Sequence, residues 1–313
     1  MRLFAPGKVF LAGEYAVLDG EPALVAAVDR GLHAEKEPAP AIELVHAPSG
    51  ARAQLTGPVP EELRFAARAT ALAVARYAPS PYRLTFLDDL AVSGRKLGLG
   101  GSAAATALAV RAASDEPAEA LLPLAVSAHW LEQGGSGSGA DVAACLLGGV
   151  VEARSVPGTP PTVEATRVKV PSDLRLLLAF GGESADTRAL IGEVKLFAAG
   201  EPAKWRRIRG AIAAAEAALR ESLEGGRRSE ALDAVRAGAA AMARLGEAAA
   251  VPIVTAPLER ACAVAASLGA AGKPSGAGGG DCAVVLCFGD AQRDEVASAL
   301  GKELFVLSVG IAG

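Results

Sequence analysis

Hydrophobic and polar positions alternate in short runs along the first half of the chain, which predicts strands separated by turns. Runs of this kind occupy residues 3–12, 23–28, 41–46, 82–86 and 149–154. A helical spacing of apolar residues predicts helices at residues 61–76, 102–113, 122–131 and 141–146. The third of these helices contains Pro123, which we expect in its first turn, where proline is tolerated.

The second half is predicted to be mostly helical. Residues 155–166 hold three prolines and indicate a surface loop or a connection near a domain boundary. A strand at residues 174–180 follows, and then helical segments through residues 189–268 with a break at Gly225 and Gly226. Two strands, at residues 283–288 and 304–309, flank a helix at residues 290–300. This order of elements predicts mixed α and β content in two lobes.

The composition is that of a folded globular protein. Hydrophobic residues make up 51% and charged residues 21% of the 313 positions, which excludes a disordered chain. The net charge is -4 and no basic run is present, so neither nucleic acid nor a membrane is an expected partner. The chain begins without the apolar core of a signal peptide and has no apolar span of about 18 residues, so we expect a cytoplasmic protein.

The four cysteines are spread along the chain without CxxC spacing, at positions 145, 262, 282 and 287. Each lies among small apolar residues, as buried free thiols do. We therefore expect neither a disulfide nor a zinc site.

Three glycine-rich segments carry the candidate chemistry. Residues 98–103 lead into an alanine-rich helix, residues 134–140 precede Asp141, and residues 273–281 lead into a strand. Glycine allows the backbone to approach a ligand closely, and the start of a helix attracts anions. A single segment of this kind is commonly a flexible turn. Three of them beside ionisable or hydroxyl residues indicate one shared site for a nucleotide or another phosphate compound.

Two common nucleotide motifs do not fit these segments. Residues 98–103 satisfy G-x-G-x-x-A, but residues 92–96 before them lack the pattern of a buried strand. The P-loop pattern also fails, since Pro274 follows Lys273 where a hydroxyl residue is required. The expected phosphate loop is therefore of another type.

The chain resembles the GHMP small-molecule kinases through all three motifs of that superfamily. Motif one corresponds to residues 5–15, motif two to residues 98–104 and motif three to residues 273–281, so the resemblance spans nearly the full length. It implies an α+β fold of two lobes, with a mixed sheet in the N-terminal lobe and a ferredoxin-like C-terminal lobe. We place the N-terminal domain at residues 1–168 and the C-terminal domain at residues 169–313.

Within the superfamily, residues 129–143 resemble phosphomevalonate kinases, whereas residues 186–190 resemble mevalonate kinases. The resemblance implies phosphoryl transfer from ATP to (R)-5-phosphomevalonate, giving 5-diphosphomevalonate and ADP, with mevalonate as the alternative acceptor. A ligand sensor without catalysis on the same fold is a further alternative. The joint presence of Lys8, Ser102 and Asp141 argues against a sensor. The implied partner is a small phosphorylated substrate, and the implied assembly is a monomer or a homodimer.

The resemblance implies that ATP and Mg²⁺ bind at motif two. The ATP-binding residues are then Lys96, Leu97, Gly98, Leu99, Gly100, Gly101, Ser102 and Ala103. Ser102 would reach Mg²⁺ through its hydroxyl, although its position also fits a helix N-cap. Glu132 is considered as a second magnesium ligand, but its spacing from Asp141 departs from the family pattern.

Asp141 and Lys8 are the catalytic residues that the resemblance implies. Asp141 occupies the place of the family's catalytic Asp, although the helix dipole also stabilises an Asp in a first turn without any catalysis. Lys8 would neutralise charge on the transferred phosphoryl group. A lysine in an apolar strand is also commonly an edge residue that keeps its amine in water.

Contacts to the acceptor are expected from all three motifs and their neighbours. The expected residues are Lys8, Tyr15, His129, Gln133, Gly137, Ser138, Gly139, Arg188, Ser275 and Gly278. His129 also fits a buried structural histidine. An alcohol acceptor needs a base to remove its proton, whereas a phosphate acceptor, with a second pKa of about 6, is already mostly anionic. For a phosphate acceptor, Asp141 would orient and balance charge, and cations such as Lys8, Lys96 and Arg188 become more important.

Overall fold

A computed structural model describes residues 1–88, 90–92, 95–182 and 187–313, with the backbone alone described for residues 91, 92, 95 and 96. A seven-stranded sheet forms the first lobe. Its strands are β1 (Arg2–Ala12), β2 (Pro22–Pro38), β3 (Glu43–His46), β4 (Ala51–Gln54), β5 (Tyr82–Phe86), β8 (Val150–Val156) and β9 (Thr162–Val168). The order is β4-β3-β5-β2-β8-β9, and β1 also pairs with β2. Because β3 and β5 are parallel and the other pairs are antiparallel, the sheet is mixed, as predicted.

Among the described residues of this lobe there are four α-helices and a short ribbon of β6 (Ala91–Val92) and β7 (Arg95–Lys96). The helices are α1 (Arg64–Tyr77), α2 (Gly101–Ala113), α3 (Ala118–Glu132) and α4 (Ala140–Leu147). Alanine provides much of their buried surface, for example Ala104 and Ala107 in α2 and Ala143 in α4. Small side chains let backbones approach closely, so the starts of α2 and α4 can lie side by side at one edge of the lobe.

In the part of the chain that the structure describes, the second lobe contains a four-stranded antiparallel sheet and five α-helices. Its strands are β10 (Leu174–Phe180), β11 (Ala271–Pro274), β12 (Cys282–Phe288) and β13 (Phe305–Val309). Its helices are α5 (Thr187–Gly200), α6 (Pro202–Glu224), α7 (Arg228–Ala249), α8 (Ala256–Ser267) and α9 (Asp290–Leu300). The strands lie in the order β11-β12-β10-β13. Along the chain, α5 to α8 connect β10 to β11, and α9 connects β12 to β13, which is the ferredoxin-like arrangement. The predicted fold class is confirmed.

The two lobes share one apolar cluster. Val9 and Leu11 of β1 pack in it together with Leu176 of β10 and Leu286 of β12. This shared core fixes β1, which carries motif one, against the lobe that carries motif three. The division of the chain between residues 168 and 169 stays a prediction. Within the described ranges, no helix has both the length and the hydropathy needed to cross a bilayer.

One prediction about local structure is confirmed only in part, and another is wrong. The predicted loop at residues 155–166 is a hairpin: β8 and β9 reach into it, and only residues 157–161 lie between them. Its prolines are confined to that turn, where no ladder hydrogen bond is needed. Pro123 is the sixth residue of α3 and not in its first turn. The carbonyl of Glu119 loses its helical donor there, but Pro123 and Glu119 are both exposed, so water can replace that bond.

The four cysteines are free thiols. Three of them are buried and Cys262 is half-buried. Burial raises the pKa of every one, for example that of Cys262 to about 11, so each stays protonated near neutral pH.

Candidate active site

A cleft of about 920 Å³ is lined by residues from all three motifs. Lys8 from β1, Ser102 from α2, Asp141 from α4, Arg188 from α5 and Ser275 from motif three face it. The structure therefore brings the three glycine-rich segments together, although 267 positions separate Lys8 from Ser275 (275 minus 8).

The loop before α2 lies directly on β1. Gly98 and Gly100 have φ angles of +66° and +77°, which favour glycine. The Lys8 N–H donates to the Leu99 carbonyl at 2.8 Å. A Cβ atom at Gly100 would lie 2.8 Å from both Cγ and Cε of Lys8, so this glycine is needed for the Lys8 side chain to cross the loop.

Gly100 caps α2, and Ser102 is the second residue of the helix. The alternative that Ser102 is an N-cap is therefore wrong, because the cap position lies two residues earlier. The free N–H groups and the dipole at this helix start attract an anion. Leu97 and Leu99, which alternate with the glycines, are 5% and 1% exposed and anchor the loop in the core that both lobes share.

Asp141 stands in the first turn of α4, behind the cap residue Gly139. Its Oδ1 accepts the N–H of Val142 at 2.9 Å. A Cβ atom at Gly139 would lie 2.9 Å from Val163 of β9, and the φ angle of this residue is +74°, so the turn requires glycine. These contacts hold a half-buried carboxylate at the wall of the cleft.

The Lys8 side chain crosses the loop before α2. Its Nζ donates to the Gly98 carbonyl at 3.3 Å and lies 5.4 Å from the Phe10 ring. Lys8 and Asp141 both line the cleft. The two predicted catalytic groups therefore lie in one neighbourhood.

His129 is 2% exposed and, among the described residues, is not part of the cleft wall. Its Nε2 lies 3.1 Å from Ser102 Oγ and 3.9 Å from Asp141 Oδ2. Burial lowers the pKa of His129, while the Asp141 carboxylate raises it in part, so the imidazole is neutral at pH 7. A direct contact between His129 and the acceptor stays a prediction.

A buried ion pair joins motif one to motif three. Lys273, 1% exposed, donates to the carboxylate of Glu14, 3% exposed, and also to the Pro274 carbonyl at 2.6 Å. Sequence reasoning assigned no role to either residue. The signal in the sequence was an acid, Glu14, in the largely apolar motif one and a base, Lys273, in the glycine-rich motif three.

Further hydrogen bonds fasten motif three to motif one. Ser275 Oγ accepts the Phe10 N–H at 3.0 Å and donates to the Phe10 carbonyl at 3.1 Å. The Tyr15 hydroxyl donates to the Ala277 carbonyl at 2.6 Å, and burial raises the pKa of Tyr15 well above its usual range. Gly278 passes so close to the Ile253 carbonyl that a Cβ atom would collide with it. Substrate contacts by Tyr15, Ser275 and Gly278 stay predictions.

Two models of one family match this chain: "GHMP kinases N terminal domain" over residues 66–149 and "GHMP kinases C terminal" over residues 215–306. The chain belongs to the GHMP kinases. A phosphomevalonate kinase of Streptomyces sp. (strain CL190) is 30% identical to it over an alignment of 342 residues, gaps included, that spans 93% of this chain and 90% of that relative. This GHMP kinase is therefore a small-molecule kinase.

Two solved structures have the same fold. The Lin0012 protein from Listeria innocua is 22% identical with a TM-score of 0.92, covering 100% of this GHMP kinase and 97% of that chain. The Streptococcus pneumoniae phosphomevalonate kinase, in complex with phosphomevalonate and AMPPNP, is 21% identical with a TM-score of 0.84, covering 98% of this chain and 99% of its own.

Most of the predicted site residues of this GHMP kinase line the cleft. They are Lys8, Tyr15, Gly98, Leu99, Gly100, Gly101, Ser102, Gln133, Gly137, Ser138, Asp141, Arg188 and Ser275. Five predicted residues lie behind this wall within the part of the chain that the structure describes: Leu97, Ala103, His129, Gly139 and Gly278. The side chain of Lys96 lies outside the described residues, as does Asp186. Arg64 and Asp281 also line the cleft, and the sequence analysis did not select them.

The oxygen donors at the cleft suit magnesium. Ser102 offers a hydroxyl and Asp141 a carboxylate, which are hard ligands. Among the residues described, no group of three or more His, Cys, Asp or Glu side chains could hold a metal ion. Glu132 pairs with Arg68 at 3.2 Å and with Arg64 at 4.0 Å, and this gives no support to a second metal ligand there. The donor set fits an ion held mainly by nucleotide phosphates and water.

Proposed function

We propose that this GHMP kinase transfers the γ-phosphoryl group of ATP to (R)-5-phosphomevalonate, giving 5-diphosphomevalonate and ADP in the mevalonate route to isoprenoids. The similarity to the Streptomyces phosphomevalonate kinase, which extends over 93% of the chain, carries this proposal. Three cations of the cleft wall, Lys8, Arg64 and Arg188, can meet phosphate groups, and they stand among six carboxylates: Glu14, Glu61, Glu62, Asp88, Asp141 and Asp281.

The phosphates of ATP would lie against the loop at residues 98–101 and the start of α2. Backbone N–H groups and the helix dipole there provide positive potential without a covalent step. Ser102 Oγ is the protein oxygen that we expect to hold Mg²⁺, which when bound neutralises charge on the phosphates. The two leucines anchored in the core keep this loop in place before the nucleotide arrives.

Asp141 and Lys8 would act on the acceptor and on the transferred group. The attacking atom is an oxygen of the acceptor phosphate, which carries little or no proton near pH 7 because its second pKa is about 6. Asp141 then orients the acceptor and balances the cations around it, and proton removal is secondary. The Lys8 ammonium neutralises charge that develops on the transferred phosphoryl group.

Release of ADP tests the proposal. The purified protein is incubated with Mg·ATP and with phosphomevalonate, mevalonate or no acceptor, and ADP is measured by a coupled assay. We expect release with phosphomevalonate at least about tenfold faster than with mevalonate, because the acceptor phosphate adds an anionic group for the cations of the cleft beyond the carboxylate that both acceptors carry. Faster release with mevalonate than with phosphomevalonate would identify mevalonate as the acceptor instead. Release that does not depend on either acceptor would favour the ligand sensor.

The cytoplasmic location, the monomeric or homodimeric state and the domain limits at residues 168 and 169 stay predictions, as do the roles of the site residues.

A further inference from the structure

His129 lies in the last turn of α3, beside two residues that line the cleft, Ser102 and Asp141. Its Nε2 is 3.1 Å from the Ser102 hydroxyl and 3.9 Å from the nearer Asp141 oxygen. One nitrogen atom thus lies within 3.9 Å of the expected metal ligand on α2 and of the expected catalytic carboxylate on α4. The proposed phosphoryl transfer assigns no role to this imidazole.

The position of this nitrogen is fixed by its surroundings. The ring is 2% exposed and stacks in a tilted arrangement on Phe65 of α1, with 5.0 Å between the ring centroids. The His129 backbone carbonyl accepts the Gln133 N–H at 3.0 Å, at the point where α3 ends and the glycine loop before α4 begins. A buried polar ring is costly without a hydrogen bond. The bond to Ser102 offsets that cost.

Ser102 gains a defined orientation from the contact. A serine hydroxyl can occupy three staggered positions, and a serine inside a helix commonly bonds to the carbonyl four residues earlier. For Ser102 that residue is Gly98, which precedes the helix. Thr106 Oγ1 donates to the Ser102 carbonyl at 2.9 Å, which fixes the backbone of the same residue. Nε2 of His129 then selects one position of the hydroxyl.

We propose that His129 is a positioning residue that holds the Ser102 hydroxyl at a fixed place relative to the Asp141 carboxylate. The bound nucleotide and its Mg²⁺ then meet two preset oxygens and need not order them on binding. This inference rests on the proposed function only in that Mg·nucleotide must bind in this cleft, and it is independent of the acceptor.

Nucleotide binding without turnover tests this role. Calorimetric titration gives the dissociation constant of AMPPNP with and without Mg²⁺ for the wild type, His129→Phe and His129→Gln. Phenylalanine keeps a ring beside Phe65 but lacks the nitrogen, whereas glutamine returns an amide that reaches about as far as Nε2. We expect His129→Phe to reduce the strengthening of AMPPNP binding by Mg²⁺ by about tenfold or more. His129→Gln should restore most of the loss.

A double-mutant cycle with Ser102→Ala separates positioning from packing. If His129 acts through the hydroxyl, His129→Phe should change Mg²⁺-dependent affinity by less than about twofold in the Ser102→Ala background. Circular dichroism and thermal unfolding confirm that each variant is folded. If His129→Phe does not fold, His129→Asn replaces it, since that amide is too short to reach Ser102, and the same loss is expected.

Two results would overturn the positioning role: a folded variant without Nε2 that keeps the full Mg²⁺ effect, or an equal loss with and without the Ser102 hydroxyl. Wild-type protein that turns over neither acceptor but shows the predicted coupling would contradict the proposed function and leave this role standing. Wild-type turnover of phosphomevalonate without coupling between His129 and Ser102 would support the proposed function and overturn the positioning role.

Discussion

The loop before α2 and the loop of motif three are both dense in glycine, yet their polar side chains have different partners. Around the first loop, Ser102 and Asp141 face the cleft. Around the second, Ser275 bonds twice to the Phe10 backbone and Lys273 is buried against Glu14. Glycine content alone thus indicates where the backbone turns tightly. The partners of the neighbouring polar groups distinguish a loop that meets ligand from one that also fastens two lobes.

Replacing Asp141 with Asn tests the ligand-facing region. The change keeps the size of the side chain but removes its charge, and we expect kcat to fall by about 100-fold or more. The matched control is Asp88→Asn, because Asp88 lines the same cleft but already pairs with His33 at 2.7 Å. Steady-state kinetics on both variants check this. A loss of less than about fivefold in folded Asp141→Asn would remove Asp141 from the machinery.

Replacing Lys273 with Met tests the contact between motif three and motif one. It leaves the Glu14 carboxylate buried without its cation, which should lower the free energy of unfolding by about 3–5 kcal/mol. The double variant Glu14→Gln with Lys273→Met should recover most of that loss, since no buried charge remains. Urea denaturation gives the values. A double variant no more stable than the single one would contradict the account of this pair.

One serine beside each loop sharpens the comparison. Ser275→Ala removes the side-chain partner of the Phe10 N–H, and we expect a loss of about 1–3 kcal/mol in the free energy of unfolding. Ser102→Ala leaves the buried His129 ring without this hydrogen bond, so we expect a comparable loss of about 1–3 kcal/mol, but unlike Ser275→Ala it should also weaken Mg²⁺-dependent nucleotide binding. Thermal unfolding and calorimetry on both proteins separate the two effects. The reverse pattern would mean that the roles of the loops are exchanged.

Adjacent glycines of motif two give the smallest predicted effect. Gly100→Ala places a Cβ atom against Lys8 at a φ of +77°, which costs about 1–2 kcal/mol and should weaken nucleotide binding by about 5–30-fold. At Gly101 a Cβ atom meets nothing within 4 Å, so Gly101→Ala should cause a clearly smaller loss. Titration with AMPPNP measures both. Equal losses would show that the crossing of Lys8 over the loop is unimportant.

Local patterns predicted the larger elements of this fold. The starts of α2 and α4 follow from glycine before an apolar helix, and the meeting of three motifs in one cleft follows from their shared composition. Short strands such as β4 and β11, with four residues each, are too brief to show a period and exist through pairing with longer neighbours. The far end of β2 was missed because charged residues interrupt its apolar run.

Contacts between distant residues were beyond the sequence patterns. Lys273 and Glu14 are 259 positions apart, and Ser102 and His129 are 27 apart. Neither pair follows a spacing rule of a helix or a strand, because the packing of whole elements creates it. Sequence reasoning therefore located the wall of the cleft but not the hydrogen bonds behind it.

Phosphorus NMR of the reaction product tests the central claim most directly. The protein is incubated with Mg·ATP and (R)-5-phosphomevalonate, with Asp141→Asn as the inactive control. We predict that the acceptor monophosphate signal is replaced by the two coupled signals of a diphosphate ester as ATP becomes ADP. An unchanged acceptor signal, with ATP either intact or hydrolysed to inorganic phosphate, would contradict phosphoryl transfer to this acceptor.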